Sequence, residues 1–241
     1  GAAAVTPDTV YDAASLSKVL ATAPAVLLLA EDGKLDLEAK LVDYFPECTG
    51  GGKEAITIRH LLTHTSGLAA GLPAKPAWSG DAAAHALACA QTVTHAPGSF
   101  FRYSDINYIL LGQLVHKVAG KPLDVFAQER IFAPLGMRDT SFGLRPEDDP
   151  ESPARLYLAT PGRPGGPSSG MTFSESMDRG AHKKATFLSG GGGLVSTAGD
   201  YLRFLEMLRR TRPRQPLNGE RLAELGVPEG EERGLLARGK A

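Results

Sequence analysis

The spacing of apolar and polar positions predicts five helices. From Ser104 to Ala119 the residues Ile106, Ile109, Leu110, Leu114, Val115 and Val118 recur every three or four positions, and Gly120 ends the run. A long helix is predicted from near Ser15 to Gly33, with Pro24 inside to kink it. Further helices are predicted over Ala82 to Gln91, over 122–132 before Pro134 and Gly136, and from Ser196 or Thr197 to about Arg210. Extended pieces are predicted at Val10 to Asp12 and just after Gly190 to Gly193. Ala55 to Leu62 reads as a short strand or turn entering a helix. Residues 68–81, with Gly71, Pro73, Pro76, Trp78 and Gly80, read as an irregular loop. Residues 144–180, rich in Pro, Gly, Ser and charge, are expected to be a flexible insertion or lid. The polar stretch from Glu220 to Ala241 is expected to hold one short helix near Arg221 to Leu225.

Composition narrows the class. The chain has 241 residues, 42% hydrophobic and 22% charged, which suits a globular protein of one large or two small domains. A net charge of −1 offers no basic excess for nucleic acid or an anionic membrane. The longest apolar stretch, Val19 to Ala30, contains Thr22 and Pro24 and falls short of the roughly 20 residues of a spanning helix. The start has no basic segment followed by an apolar one, and no initiator Met, so an upstream piece is expected to have been removed. Cytoplasm and periplasm both stay open. The two cysteines, Cys48 and Cys89, exclude a disulfide scaffold and are expected to be free thiols, with no metal site.

Two short motifs can carry chemistry. In Ser15-Leu16-Ser17-Lys18, residues three apart at a helix start share one face, so the Ser15 hydroxyl and the Lys18 amine become neighbours. A hydroxyl is a poor nucleophile until a base takes its proton, and a helix N-terminus favours a developing oxyanion. With 14 Ser and 10 Lys, chance supplies roughly 0.6 such tetrads, and an N-capping Ser beside a solvated Lys is the bland alternative. Tyr103-Ser104-Asp105, just before a predicted helix, is a rarer pattern. A Tyr phenol beside a cation can act as a general base and return the proton to a leaving group. Its bland alternative is a buried Tyr followed by an N-cap.

The two motifs together, in this order, resemble the serine β-lactamase and penicillin-binding-protein superfamily. The closer likeness is to its class C-like branch of esterases, acyltransferases and D-amino peptidases. Ile56-Thr57-Ile58-Arg59-His60-Leu61-Leu62-Thr63-His64-Thr65-Ser66-Gly67-Leu68 resembles a stretch typical of that branch. So do Ile131-Phe132-Ala133-Pro134-Leu135-Gly136-Met137 and Gly191-Gly192-Gly193-Leu194-Val195-Ser196-Thr197. The resemblance covers about residues 6–210, and the glycine-rich last motif followed by Asp200-Tyr201 looks most like the esterase members. It implies an α+β fold of β-lactamase/transpeptidase type and a single domain over 1–241, with the helical region largely present and the central antiparallel sheet incomplete. It implies Ser15 as nucleophile, Lys18 as base or as the group that tunes it, and Tyr103 as proton shuttle. Asp105 stands where the family usually has Asn, in a supporting or substrate-binding place. A carboxylate there would hold Lys18 charged and leave Tyr103 as the base.

Two departures accompany the resemblance. The family's third motif, His or Lys, a small residue, then Gly, is not found in this sequence, and a backbone N–H of that strand supplies half of the family's oxyanion hole. The helix and two strands that precede Thr6-Pro7-Asp8-Thr9 in the family are not seen either, so the chain is expected to be an internal fragment. Three readings follow. The first is a serine hydrolase of small esters. The second is a β-lactam or D-Ala peptide hydrolase on the same scaffold. The third is a non-catalytic remnant or binding module. No cofactor is implied. The expected partner is a small-molecule ester or amide, with oligomeric state left open. His60 and His64 are read as structural parts of a loop beside the site, Gly190 to Gly193 as a close backbone approach beneath it, and Trp78 as pocket lining or packing.

Overall fold

The computed structural model describes residues 6–143 and 187–211. Strand β1 (Tyr11–Ala14) leads into a wide helical turn, Lys18–Thr22, that continues as α1 (Ala23–Glu31). Two short helices follow, α2 (Leu41–Tyr44) and α3 (Ile58–Leu62), joined by a 3₁₀ turn at Lys53–Ala55. After a loop come α4 (Asp81–Cys89) and α5 (Asp105–Ala119). Helix α6 (Leu123–Ala127) passes through a second wide turn, Gln128–Phe132, into α7 (Ala133–Leu135). Strands β2 (Ser141–Phe142) and β3 (Leu194–Ser196) precede α8 (Ala198–Thr211).

Helix α5 is the hub. Its apolar residues Ile106, Leu110, Leu111, Leu114 and Val115 are buried, and it packs against α1, α3, α4 and α6. Gly120, in the left-handed region at φ 67°, ends it as the sequence predicts. Helix α1 adds Ala25, Val26 and Leu29 to the same core. Among the described residues the sheet has three antiparallel strands in the order β1-β3-β2, with β3 buried along its length. This matches the expected α+β architecture with a reduced sheet.

Several expectations need correction or bounding. The first helix begins near Ser15 as expected, with a turn at 15–16 and helical backbone from Ser17–Lys18. The expected disturbance at Pro24 takes the form of a wider turn just before it. The Ala23 N–H reaches back to the Lys18 carbonyl, five residues away, and this wider turn accommodates the N–H that Pro24 lacks. Pro134 does not end the helix begun at Leu123, because the wide turn before it, where the Ala133 N–H reaches the Gln128 carbonyl, accommodates its missing N–H; Gly136 at φ 68° is the stop. Cys48 and Cys89 are not free thiols but a disulfide. They lie 41 residues apart, one after α2 and the other at the end of α4, so the tertiary fold brings them together. The expected insertion at 144–180 and the short helix near Arg221 lie outside the described residues.

The chain divides into a unit of Gly1–Phe204 and another beginning at Leu205. In the second, the described residues are the end of α8, where Glu206 pairs with Arg209 and Arg210. No described helix is long and apolar enough to cross a membrane.

Candidate active site

A bulge in β1 presents Ser15. The register against β3 shifts between Asp12 and Ala14, and Ala14 takes φ 44°, left-handed backbone that costs a non-glycine residue about 1–3 kcal/mol. Both sides of that residue are held. Asp12 Oδ1 accepts the Ala14 N–H at 2.7 Å, and the Ser17 hydroxyl donates to the Ala14 carbonyl at 2.6 Å. Ser17 Oγ also accepts the Leu194 N–H at 3.1 Å, tying the turn to β3. Ser15 is left exposed at the apex while Ser17, two residues on, is fully buried. The two serines of the tetrad thus have opposite roles, one presented to solvent and one structural.

Lys18 is the centre of the cluster. Its side chain is 4% exposed, and its ammonium has three N–H donors for three acceptors. They are Ser15 Oγ at 3.3 Å, the Gly191 carbonyl at 2.7 Å and Asp105 Oδ1 at 2.7 Å. The Asp105 side chain is 53% exposed, so a buried cation is balanced by a carboxylate at the surface. The ammonium also stands 4.8 Å from the ring centroid of Tyr103 and 5.7 Å from that of Tyr108. Ser15, Lys18, Tyr103 and Asp105, up to 90 residues apart in sequence, therefore meet around one nitrogen.

Tyr103 rests on His64. Their rings are 4.5 Å apart, and Tyr108 closes the other side of His64 at 5.0 Å. His64 Nδ1 accepts the Ser104 N–H at 3.1 Å and faces the Asn107 amide at 3.4 Å, so its proton is on Nε2. Burial pushes His64 below its ordinary value, and the Lys18 cation adds to that; Asp105 opposes it. Asn107 in turn accepts from the buried Ser66 hydroxyl at 2.6 Å. The Ala69 and Ala70 carbonyls take the Ser104 hydroxyl and the Asp105 N–H. The stretch from His64 to Ala70 is thus a cradle for Tyr103 to Asp105. His60 is further off in role: it caps α3 by accepting the Thr57 N–H. Burial also raises the Tyr108 phenol, whose hydroxyl donates to the Leu62 carbonyl.

The glycine-rich stretch supplies backbone. Thr22 donates to the Gly190 carbonyl at 2.7 Å, as Lys18 does to that of Gly191. Gly190 lies against Gly112 of α5; a Cβ on Gly190 would strike the Tyr108 carbonyl oxygen. Trp78 packs on Phe187 and donates to the Pro73 carbonyl. Ser17, Asn107 and the two carbonyls were not singled out in the sequence. Their contacts are long-range, and only the resemblance around Ser66-Gly67 and Gly191-Gly192-Gly193 pointed to those regions.

Known proteins resemble this chain in sequence and in fold. The family model described as Beta-lactamase matches residues 1–238. A protein of Escherichia coli O157:H7 with a provisional D-alanyl-D-alanine carboxypeptidase name is 38% identical over 164 residues, covering 59% of this chain and 37% of its own length. Esterase EstB of Burkholderia gladioli is 31% identical over 233 residues, covering 84% of this chain and 57% of the esterase. Among solved structures, EstCE1, described as a hydrolase with promiscuous acyltransferase activity, superposes with a TM-score of 0.66 at 25% identity. That match covers 87% of this chain and 61% of EstCE1. The chain thus spans about half, or less, of the length of these curated relatives.

Proposed function

Because this chain belongs to the beta-lactamase family, we propose that it is the acylating part of a serine hydrolase acting on small uncharged esters. The observation that carries the reading is the 2.7 Å ion pair of Lys18 with Asp105, which supports Lys18 as a cation 3.3 Å from Ser15 Oγ. With its donors matched by Ser15, Gly191 and Asp105, Lys18 acts as a positioning cation, and Tyr103 is the base. Tyr103, as a phenolate stabilised by the nearby Lys18 cation, takes the Ser15 proton as Oγ attacks the ester carbonyl and becomes the neutral phenol. Tyr103 then gives that proton to the departing alkoxide, leaving an acyl group on Ser15. Water, activated in the same way, attacks the acyl carbon, and the acid is released with Ser15 restored.

Charge supports the choice of substrate: the half-exposed Asp105 carboxylate, although paired with Lys18, disfavours a substrate that brings its own carboxylate near Ser15, as β-lactams and D-Ala peptides do. Uncharged esters meet no such opposition. The esterase relative, which aligns with 84% of the chain, supports the same choice. The test is labelling by a fluorophosphonate probe followed by turnover of p-nitrophenyl butyrate and nitrocefin. Labelling should vanish in Ser15→Ala, and ester turnover should fall by at least about 10⁴-fold. Nitrocefin turnover exceeding ester turnover would favour the lactam reading. No labelling of the wild-type protein would leave the remnant or binding-module reading.

A further inference from the structure

A second cluster of reactive side chains stands apart from the Ser15–Lys18 site, on the face of α4 that covers the loop after α2. Cys89 and His85 are four residues apart on one side of α4, and Cys48 and Glu47 approach them from the loop. The ligand atoms of Cys48, His85 and Cys89 all lie within 4.8 Å of one another. His85 Nε2 is 3.5 Å from Cys89 Sγ and 2.7 Å from Glu47 Oε1. Cys48 is fully buried and Cys89 nearly so.

The hydrogen bonds around His85 ask for a cation. Gln113 of α5 donates its amide N–H to the Asp81 carbonyl at 3.4 Å, which turns its oxygen toward His85 Nδ1 at 2.6 Å. Nδ1 is therefore the N–H of the ring. In the neutral imidazole, Nε2 then presents a lone pair to the Glu47 carboxylate and the Cys89 sulfur. Two acceptors at 2.7 Å repel unless a proton or a metal ion lies between them. An imidazole whose far N–H is fixed by an amide oxygen, with its free nitrogen aimed at sulfur and carboxylate, is the usual arrangement of a metal ligand and its supporting partner.

We propose that Glu47, Cys48, His85 and Cys89 form a redox-gated zinc site. It is closed to metal while the two cysteines are bonded and opens when an external dithiol reduces them. The disulfide takes two electrons and two protons from the dithiol, which itself becomes a disulfide. Zinc then replaces the two thiol protons, which are released. Two thiolates, one imidazole and one carboxylate make a tetrahedral set suited to Zn²⁺. Ligands at ordinary zinc distances stand about 3.3–3.8 Å apart, so the two sulfurs separate and Glu47 moves back from the ring by under 1 Å. Lys117, over the Phe45 ring, is a nearby cation, outweighed by the two thiolates and Glu47. Either form joins Cys48 to Cys89, so the 41-residue separation is bridged under oxidising and reducing conditions alike. The site is independent of acyl transfer at Ser15.

The experiment compares the intact protein as the disulfide and after reduction by a phosphine, which becomes the phosphine oxide. Each form is mixed without oxygen with Zn²⁺ or Co²⁺ and passed through gel filtration. The reduced protein should retain close to one metal per chain. Its cobalt form should show thiolate charge-transfer absorption and the intense visible bands of tetrahedral Co²⁺. The disulfide form should retain none. Glu47→Gln should weaken affinity on the order of 10-fold, and His85→Phe should abolish retention. The oxidised and reduced wild-type proteins need no variant, so a variant that misfolds does not decide the matter. Absence of metal from the reduced protein, equal retention by the disulfide form, or octahedral cobalt without sulfur absorption would each overturn the proposal.

Discussion

Two lysines in this molecule are buried to the same degree, 3% exposed, and both spend their ammonium on backbone carbonyls. Lys53 donates to the Gly50 and Gln91 carbonyls at 2.6 and 2.7 Å and pins the loop after α2 to the end of α4. Lys18 donates to the Gly191 carbonyl in the same way. The difference is what else faces each nitrogen. Lys18 has the exposed Ser15 hydroxyl, the Asp105 carboxylate and the Tyr103 ring within reach. Burial alone makes a lysine a structural tie. A nucleophile held at its tip by a strained turn makes it a chemical group.

That contrast is broken most sharply by Lys18→Met and Lys53→Met. The first should lower ester turnover on the order of 10³–10⁴-fold, because Ser15 and Tyr103 both lose the cation that faces them. The second should leave turnover within about 3-fold but cost about 0.5–2 kcal/mol, because a buried ammonium and two part-buried hydrogen bonds are lost. Ester kinetics and thermal melting on the same pair of samples check both. Similar losses of turnover in the two variants would place the difference between the lysines outside chemistry.

Tyr103→Phe sharpens the comparison next. It keeps the ring that stacks on His64 and faces Lys18 and removes only the hydroxyl. Single-turnover acylation should slow about 10²–10³-fold with little change in KM. An unchanged acylation rate would return the role of base to Lys18.

The sequence made some of this legible and hid the rest, for physical reasons. Helix α5 was readable because its buried face repeats at helical spacing and Gly120 stops it. Ser15, Lys18, Tyr103 and Asp105 were singled out by residue type and order, and the fold brings them around one nitrogen. The partners that hold them were not. Ser17 is the interior residue of the tetrad, and its buried hydroxyl matters only because β3 passes beside it. His64 looked like one of two equivalent histidines until the fold set it under Tyr103. Cys48 and Cys89 had no motif, since long-range contacts between the loop after α2 and the end of α4 join them. The wide turn before Pro24 is a one-residue shift of the ladder that apolar spacing does not reveal.

A smaller effect tests the backbone beneath the site. Gly190 touches Gly112 and the Tyr108 carbonyl, whereas Gly71 has nothing near its Cβ position. Gly190→Ala should destabilise the protein by about 1–3 kcal/mol and disturb the Thr22 bond, whereas Gly71→Ala should stay within about 0.5 kcal/mol. Denaturant melts of the two variants provide the measurement. Equal stabilities would mean that the approach of the glycine-rich stretch to α5 is looser than its geometry.

The smallest effect concerns pH and distinguishes His64 from the other five histidines. His64 is held neutral by burial and by the Lys18 charge, and Asp105 only partly offsets this. Its Nδ1 accepts the Ser104 N–H, so protonation would set a donor against a donor while placing a cation near Lys18. In the unfolded chain the same group binds its proton near pH 6.5. The folded value is lower, so the unfolded state binds more protons as pH drops. The stabilisation is therefore complete above about pH 6.5 and is lost as pH falls through the folded value. His64→Asn removes this titration, keeps an acceptor oxygen, and suits the φ of 58° at this position. The substitution leaves the other five histidines in place, so the difference between the two proteins isolates His64. Melting temperature plotted against pH should fall more steeply below 6.5 in the wild-type protein than in His64→Asn, with the two curves parallel above it. Parallel curves down to pH 4.5 would show that His64 takes up its proton as easily folded as unfolded, and the neutral cradle under Tyr103 would have to be abandoned.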